Sequence, residues 1–331
     1  MRPYAGLTPD VVLDALQSVG LRGDGRLLSL NSYENRVYQA SLADGRSVVA
    51  KFYRPARWSE AQILEEHAFV LELAAREVPV VAPLERSGQT LHSFKDFRFA
   101  AYPRRGGRAP ELEDSKTLEW IGRFIGRIHA VGATRSFSER PALDIASFGE
   151  EPRDWLLASG FIPADLLQAW SSIADLALEG ARRCYRSAGA REERASALRP
   201  LRLHGDCHVG NILWTDDGPH FVDFDDARSG YAVQDLWMLL SGEHDAAATQ
   251  LRSLLAGYEQ FREFDWRELL LVEALRTLRL LHYSAWIARR WDDPAFPAAF
   301  PWFNTRRYWQ DRILELREQV AAMQEPPLSI A

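Results

Sequence analysis

Hydrophobic periodicity changes character once along this chain, and that change restricts its architecture more than any other feature. Up to about residue 102, apolar side chains gather in short β-rich runs: "LLSL", "RVYQASL", "SVVAKFY", "QTLHSF" and "FRFAAYP". From about residue 115 they recur at helical spacing, as at Ile121, Phe124, Ile125 and Ile128, and in amphipathic stretches over 163–188, 245–259 and 266–290. Only "LRLH" (201–204), "NILW" (211–214) and "HFVDF" (220–224) interrupt the helices as short strands. The spacing therefore predicts an α+β chain of two lobes. The Pro- and Gly-rich run "AYPRRGGRAP" (101–110) is the expected hinge between a small β-rich lobe, residues 1–102, and a larger, mainly helical lobe, residues 103–331.

Caps and turns in the first lobe are specific. Thr8 can cap an opening helix with Pro9 in its first turn, and Val12, Ala15, Leu16 and Val19 form one apolar face before Gly20. Asp44-Gly45 is a strong hairpin turn between two of the strands. Ser59 and Gln62 stand at capping-box spacing at the head of "SEAQILEEHAFVLELAAREV", the second helix. There is no internal repeat, and "SAGAREERASAL" (187–198) is a mild low-complexity stretch.

With 331 residues and 47% hydrophobic content, the chain can bury a substantial core. A net charge of −6 argues against a dedicated nucleic-acid binder. Cys184 and Cys207 are too few for a disulfide framework and suit a reducing compartment. The opening residues carry no signal-peptide core and no apolar run approaches a membrane span, so the expectation is a soluble cytoplasmic protein. Arginine supplies nearly all the cations. Only Lys51, Lys95 and Lys116 are lysines among 40 basic residues, so a lysine in a chemical context stands out.

Chemistry concentrates in "LHGDCHVGNILW" (203–214). His204, Cys207 and His208 invite a zinc reading, but Gly205 and Gly210 break the helix such spacing requires, and no second Cys/His cluster exists. A G-x-S-x-G elbow is absent, no lysine completes a P-loop, and no G-x-G-x-x-G follows a strand. What remains is a phosphoryl-transfer loop. Asp206 and Asn211 stand five apart, the D-x-x-x-x-N interval of a kinase catalytic loop. Twelve residues beyond Asn211, "FVDFDD" offers a carboxylate cluster at the end of an apolar strand.

Phosphoryl transfer needs one carboxylate to orient the acceptor hydroxyl and take its proton. It also needs an amide oxygen and a second carboxylate to hold Mg²⁺ against the nucleotide phosphates. Asp206, Asn211 and Asp223 fit these roles in chain order, and the strands on either side of the loop are expected to fix it as a hairpin. Upstream, a strand lysine must reach the phosphates of ATP and a helix carboxylate must hold that lysine. Lys51 in "SVVAKFY" and Glu66 in "QILEEH", with Glu65 as the fallback, supply both.

These residues carry a resemblance. "LHGDCHVGNILW" with "FVDFDDARSGYAVQDLWMLL" resembles the aminoglycoside phosphotransferase/choline kinase superfamily, whose catalytic loop reads H-G-D rather than H-R-D. More closely, "LNSYENRVYQ", "VVAKFYRPARW", "QILEEH", "GDCHVGNILW", "VQDLWMLL" and "DPAFPAAFPWF" resemble the bacterial stress response kinase A family nearly end to end. The resemblance implies a two-lobed, protein-kinase-like fold and ATP-dependent phosphorylation of Ser/Thr on proteins, with autophosphorylation. It further implies a cytoplasmic monomer linked to survival under envelope and oxidative stress.

By position, the resemblance makes Asp206 the catalytic base and Asn211 and Asp223 the magnesium ligands, with Asp225 replacing the glycine of D-F-G. Asp225 is then either a second metal ligand or a solvated, turn-bonding carboxylate. Ser32 falls in a nucleotide loop that lacks the usual glycines, so Ser32 and neighbouring amides have to supply the phosphate donors. The backbone of Ala101 and Tyr102 matches the inter-lobe hinge that meets adenine. Asp235 resembles the buried aspartate that braces the catalytic loop, and His204 the histidine of H-R-D. Cys207 is expected to be inert, since adjacent carboxylates raise its pKa.

The reaction is better specified than the acceptor. "WIARRWDDPAFPAAFPWFNTRRYW" (286–309) offers Asp292 and Asp293 among Trp and Phe, as a cage for a small cation does. The same aromatics can instead pack the end of the helical lobe. Protein substrates are expected from the resemblance alone; choline, homoserine or an aminoglycoside are alternative acceptors, and a catalytically weak nucleotide-binding scaffold is a second alternative. Intact Lys51, Asp206, Asn211 and Asp223 weigh against the scaffold. No membrane or nucleic-acid partner is expected, and the lack of a heptad pattern gives no sign of an obligate oligomer.

Overall fold

The computed structural model describes residues 3–189 and 197–329; part of the low-complexity stretch, residues 190–196, lies outside the described residues. The first elements are α1 (Pro9–Ser18), β1 (Gly23–Ser29), β2 (Arg36–Leu42), β3 (Ser47–Phe52), α2 (Glu60–Ala75), β4 (His92–Phe94) and β5 (Phe97–Pro103). Then come α3 (Ser115–Gly132), α4 (Glu151–Ser159), α5 (Ala164–Gly189), β6 (Leu201–Leu203), β7 (Ile212–Thr215), β8 (Gly218–Phe221) and β9 (Arg228–Gly230). The chain continues with α6 (Val233–Trp237), α7 (His244–Tyr258), α8 (Val272–Ala288), α9 (Ala295–Ala299) and α10 (Arg306–Ala322). Two compact units result. The sheet unit runs to Pro110 and includes Phe137–Arg140 and Val209–Ala227; the helical unit holds Glu111–Ser136, Pro141–His208 and the chain from Arg228 onward.

The sheet unit is built on five antiparallel strands in the order β1-β2-β3-β5-β4. In the central register Lys51 of β3 stands opposite Val37 of β2 and Ala100 of β5. Thr8 caps α1 as its position predicts, its hydroxyl accepting from Val11 N. The buried face of α1, Val11, Val12, Ala15 and Leu16, packs on Ala40, Val48, Phe52 and Phe99 of the sheet. Each such large side chain contributes roughly 1.5–3 kcal/mol when fully buried, so the seam alone fixes α1. At α2 both bonds of the capping box form, Gln62 N to Ser59 Oγ at 3.1 Å and Ser59 N to Gln62 Oε1 at 2.9 Å. Phe69 of α2 meets Phe137 and Phe224 edge to face. The β7–β8 hairpin ties to the segment after α2 through Phe221, whose N–H donates to Pro79 O at 2.8 Å.

In the helical unit, α3 and α7 lie so close that a Cβ on Gly122 would stand 1.9 Å from Leu254 O. Only glycine permits that approach, and it brings His129 Nδ1 of α3 to 3.1 Å from the Tyr258 hydroxyl of α7. Fully buried Trp170 of α5 and Trp309 of α10 meet edge to face at 6.2 Å. The predicted helix 266–290 starts instead with a 3-10 turn, Trp266–Leu271, and becomes α-helical only at Val272. The aromatics near the carboxy-terminus pack on one another. Phe296, Phe300, Phe303 and Trp309 are buried, and Phe303 lies 4.9 Å from the rings of both Trp291 and Tyr308. Asp293 is buried too, accepting from Ala295 N at the start of α9.

Two expectations are corrected. The strands flanking the 204–211 loop do not pair with each other: β6 pairs with β9, and β7 with β8. The chain passes from the helical unit to the sheet unit at His208–Val209, so each strand finds its partner within its own unit. The second correction concerns "HFVDF", whose strand stops at Phe221. Asp223 follows in the left-handed region, φ 59°, and opens a 3-10 turn, Phe224–Asp226. Among the described residues no helix is long and apolar enough to cross a membrane.

Candidate active site

In the sheet unit, buried Lys51 points its ammonium at the segment after β8, with Nζ 2.8 Å from Asp223 Oδ1 and 3.2 Å from Asp225 Oδ1. Burial acts to discharge this amine; Asp223 and Asp225 outweigh it and raise its pKa well above the ordinary lysine value. The two carboxylates differ sharply. Asp223's side chain is 54% exposed and Asp225's 5%. Left-handed backbone at a non-glycine residue costs on the order of 1–3 kcal/mol and tends to mark functional sites; aspartate is among the few residues that tolerate it. Asn211 ends a short 3-10 turn, and its carbonyl accepts from Val222 N at 3.0 Å, which brings it beside Asp223 along the backbone.

Cations and an amide surround Asp225. Its Oδ2 accepts from Asn35 Nδ2 at 3.1 Å and from Arg57 Nη1. Arg57 also forks onto Asp226, at 2.9 and 3.0 Å, and Arg140 donates to the main-chain oxygens of Asp225 and Ala227. Burial pushes the Asp225 pKa upward, but Arg57 and Lys51 overcome it and hold the carboxyl at about 2. The Gly-poor loop is fastened to this cluster. Ser32 Oγ donates to Asn35 O at 2.6 Å, closing a turn, while Asn35 Oδ1 accepts from Arg54 N at 3.1 Å.

Glu66 lies on the buried face of α2, yet its Oε2 has no hydrogen-bond partner and Lys51's ion pairs run to Asp223 and Asp225. Desolvation pushes the Glu66 carboxyl up to about 7. Glu65 is taken up elsewhere, accepting from the backbone N–H groups of Ser138, Glu139 and Arg140 at 2.6, 2.9 and 2.7 Å. Ala101 is buried in β5 with its carbonyl accepting from Leu84 N, which leaves that oxygen one lone pair. The Tyr102 hydroxyl joins those of Tyr53 (3.0 Å) and, through Tyr53, the His67 ring (2.7 Å). Burial lowers the His67 pKa to about 3, so the ring is neutral.

In the helical unit, the Asp235 carboxylate accepts from His204 N at 2.8 Å and Gly205 N at 2.9 Å, and meets His129 Nε2 at 3.0 Å. Gly205 has φ +87°, the left-handed turn that lets two successive amides converge on one carboxylate. His204 is fully buried and its Nδ1 faces Asp206 N at 3.4 Å. Asp206 itself accepts from Arg279 Nη1 of α8 at 2.8 Å, with His208 Nε2 3.5 Å away. Burial, reinforced by Asp235 and Asp206, pushes the Cys207 thiol well up. Among the described residues no three His, Cys, Asp or Glu side chains are gathered for a metal ion, which disposes of the zinc reading.

Four participants went unread in the sequence: Asn35, Arg57, Arg140 and Arg279. The first two lie inside the quoted strings "LNSYENRVYQ" and "VVAKFYRPARW", the one signal that singled them out. Nothing in the sequence marks Arg140 or Arg279 off from the other arginines.

The phosphotransferase enzyme family matches residues 26–272. "Stress response kinase A" of Escherichia coli (strain K12) and "Serine/threonine protein kinase RdoA" of Salmonella typhimurium (strain LT2) are each 46% identical over 327 residues, covering 99% of this chain and 97% of the relative. Among solved structures, the amicoumacin kinase hAmiN in complex with AMP-PNP, Ca²⁺ and Ami is similar with a TM-score of 0.70 at 18% identity, over 95% of this chain and 93% of that one. A microcompartment-associated aminopropanol kinase gives 0.69 at 20%, over 96% and 97%. At such identities these structures speak for the fold alone, the α+β, protein-kinase-like class. A family match across most of the chain and relatives matched over nearly full length make this chain a kinase that belongs to the phosphotransferase enzyme family and, within it, to the stress response kinase A family.

Proposed function

We propose that this chain is an ATP- and Mg²⁺-dependent serine/threonine protein kinase of bacterial stress response, a cytoplasmic monomer that phosphorylates hydroxyls on proteins and on itself. The observation that carries the reading is the 2.8 Å ion pair of Lys51 with Asp223. It sets a buried lysine beside the carboxylate expected to hold metal, as a triphosphate–metal centre requires. Exposed Asp223 and the Asn211 amide are hard oxygen donors. Two protein ligands, with phosphates and water supplying the rest, suit Mg²⁺ better than an all-protein cage does. Bound with the nucleotide, the ion supplies charge neutralisation of the transferring phosphoryl group.

The chain's own residues do the remaining work. Lys51 holds the α- and β-phosphates, Ser32 and adjacent amides contact phosphate, and the backbone of Ala101 and Tyr102 meets adenine. Asp206 orients the acceptor hydroxyl and takes its proton, while Asp235 holds the loop amides that fix its backbone. Incubation with labelled ATP and Mg²⁺, wild type against Asp206→Ala, tests this. Label on the protein or on a casein-like acceptor, lost in the mutant, is the expected result; turnover equal to wild type removes Asp206 as the base.

A small-molecule acceptor is the second reading, favoured by the amicoumacin and aminopropanol kinases among the structural neighbours. Mutant-sensitive transfer only to choline, homoserine or an aminoglycoside establishes it.

A further inference from the structure

We infer that Asp225, at the position where the kinase motif has glycine, takes over from the helix glutamate as the lasting partner of Lys51, and that Arg57 and Asn35 are the positioning residues that hold it there. The inference rests on reading Lys51 as the phosphate-binding amine. Lys51 has two anionic partners in the structure. Asp223 is the exposed one, and its carboxylate is committed to metal once nucleotide binds. Asp225 then remains, 3.2 Å away and buried.

Asp225's own contacts suit a brace and not a metal ligand. Oδ2 already accepts from Arg57 and Asn35, and Arg140 fastens its main-chain carbonyl. The remaining oxygen, Oδ1, has no hydrogen-bond partner of its own and faces the lysine. Swinging it toward a metal would strand a buried guanidinium, whose planar fork is matched to the pair Asp225 and Asp226. The helix carboxylates are not substitutes. Glu66 Oε2 is buried without a partner, and Glu65 is spent on three backbone amides of 138–140. The two alternatives left for Asp225, second metal ligand or idle carboxylate, both fail on this geometry.

The test is ATP binding by the full chain, measured by titration calorimetry with and without Mg²⁺. Asp225→Asn is expected to weaken ATP binding about tenfold in both conditions, the loss of one charge-assisted contact, with the Mg²⁺ requirement unchanged. Arg57→Gln should follow it in direction, and Glu66→Gln should lose at least about fivefold less than Asp225→Asn. A defect confined to the Mg²⁺ titration makes Asp225 a metal ligand and overturns the inference; so does a Glu66→Gln loss matching or exceeding that of Asp225→Asn.

Should Asp225→Asn not fold, Asn35→Ser keeps every charge and removes one bond to Asp225. A drop of about threefold in metal-free ATP affinity is then expected, and an unchanged affinity overturns the proposal. Lys51→Met separates the two levels: wild-type ATP affinity in that variant defeats the reading of Lys51 itself, whatever Asp225 does.

Discussion

The loop at 203–208 and the segment at 223–226 each present an aspartate for chemistry, and they are held by opposite means. Asp206's loop hangs from one carboxylate, Asp235, through two main-chain amides, with His129 and Tyr258 behind. The segment bearing Asp223 is gripped by the side chains of Lys51, Arg57, Arg140 and Asn35. Main-chain donors in a buried turn cannot be drawn off by an arriving anion. Cations can, because phosphate competes for them directly. A catalytic base needs constant geometry, whereas a metal-holding segment has to exchange partners when nucleotide enters.

The sharpest way to break the comparison is Asp206→Ala. Losing a general base is expected to cut phosphoryl transfer by about 10³-fold while the urea midpoint stays near wild type, because the loop's hydrogen bonds do not run through this side chain. Asp235→Ala attacks the frame instead. Two buried amides and His129 lose their acceptor, and stability should fall on the order of 4 kcal/mol in urea unfolding; a loss below about 1 kcal/mol means the loop is held some other way.

A pH series sharpens the contrast within the helical unit. Buried Glu268 accepts from Val233 N at 2.8 Å, and burial pushes its pKa up from 4.5 to about 7. The folded chain therefore keeps a proton that the unfolded chain releases, so this contribution is full below about 4.5 and is lost as pH rises through about 7. It amounts to ~3 kcal/mol, and Glu268→Gln should flatten the slope of stability against pH between those values. Equal slopes in both proteins would contradict it. The smallest effect is expected at Ser59→Ala, about 1 kcal/mol from losing the α2 cap, with little change in transfer rate.

What was legible in the sequence is what local rules write. Thr8, Asp44-Gly45 and the Ser59/Gln62 box mark element ends because capping and turn chemistry act over three or four residues. The interval from Asp206 to Asn211 and the buried placement of Asp235 and His204 follow from a motif written on one short stretch and its sequel. The Asp225 cluster joins residues 190 apart at Asn35 and 168 apart at Arg57, and no period in the chain encodes such a meeting. Helical spacing likewise showed that one of Glu65 and Glu66 faces inward, but not which carboxylate the lysine would find, since the competing acids come from far along the chain. The separation of β6 from β7 was hidden for a related reason: adjacent strands suggest a hairpin until each meets a better partner.

The knot around Asp225 has a consequence for descent. Neutralising Asp225 alone leaves guanidinium groups crowded in a dry pocket, and replacing Arg57 alone leaves a buried acid short of a counter-charge, so either step by itself is disfavoured. Such positions have to drift as a set. In distant kinases of this kind, glycine at the place of Asp225 should therefore turn up together with the disappearance of the arginine at the place of Arg57.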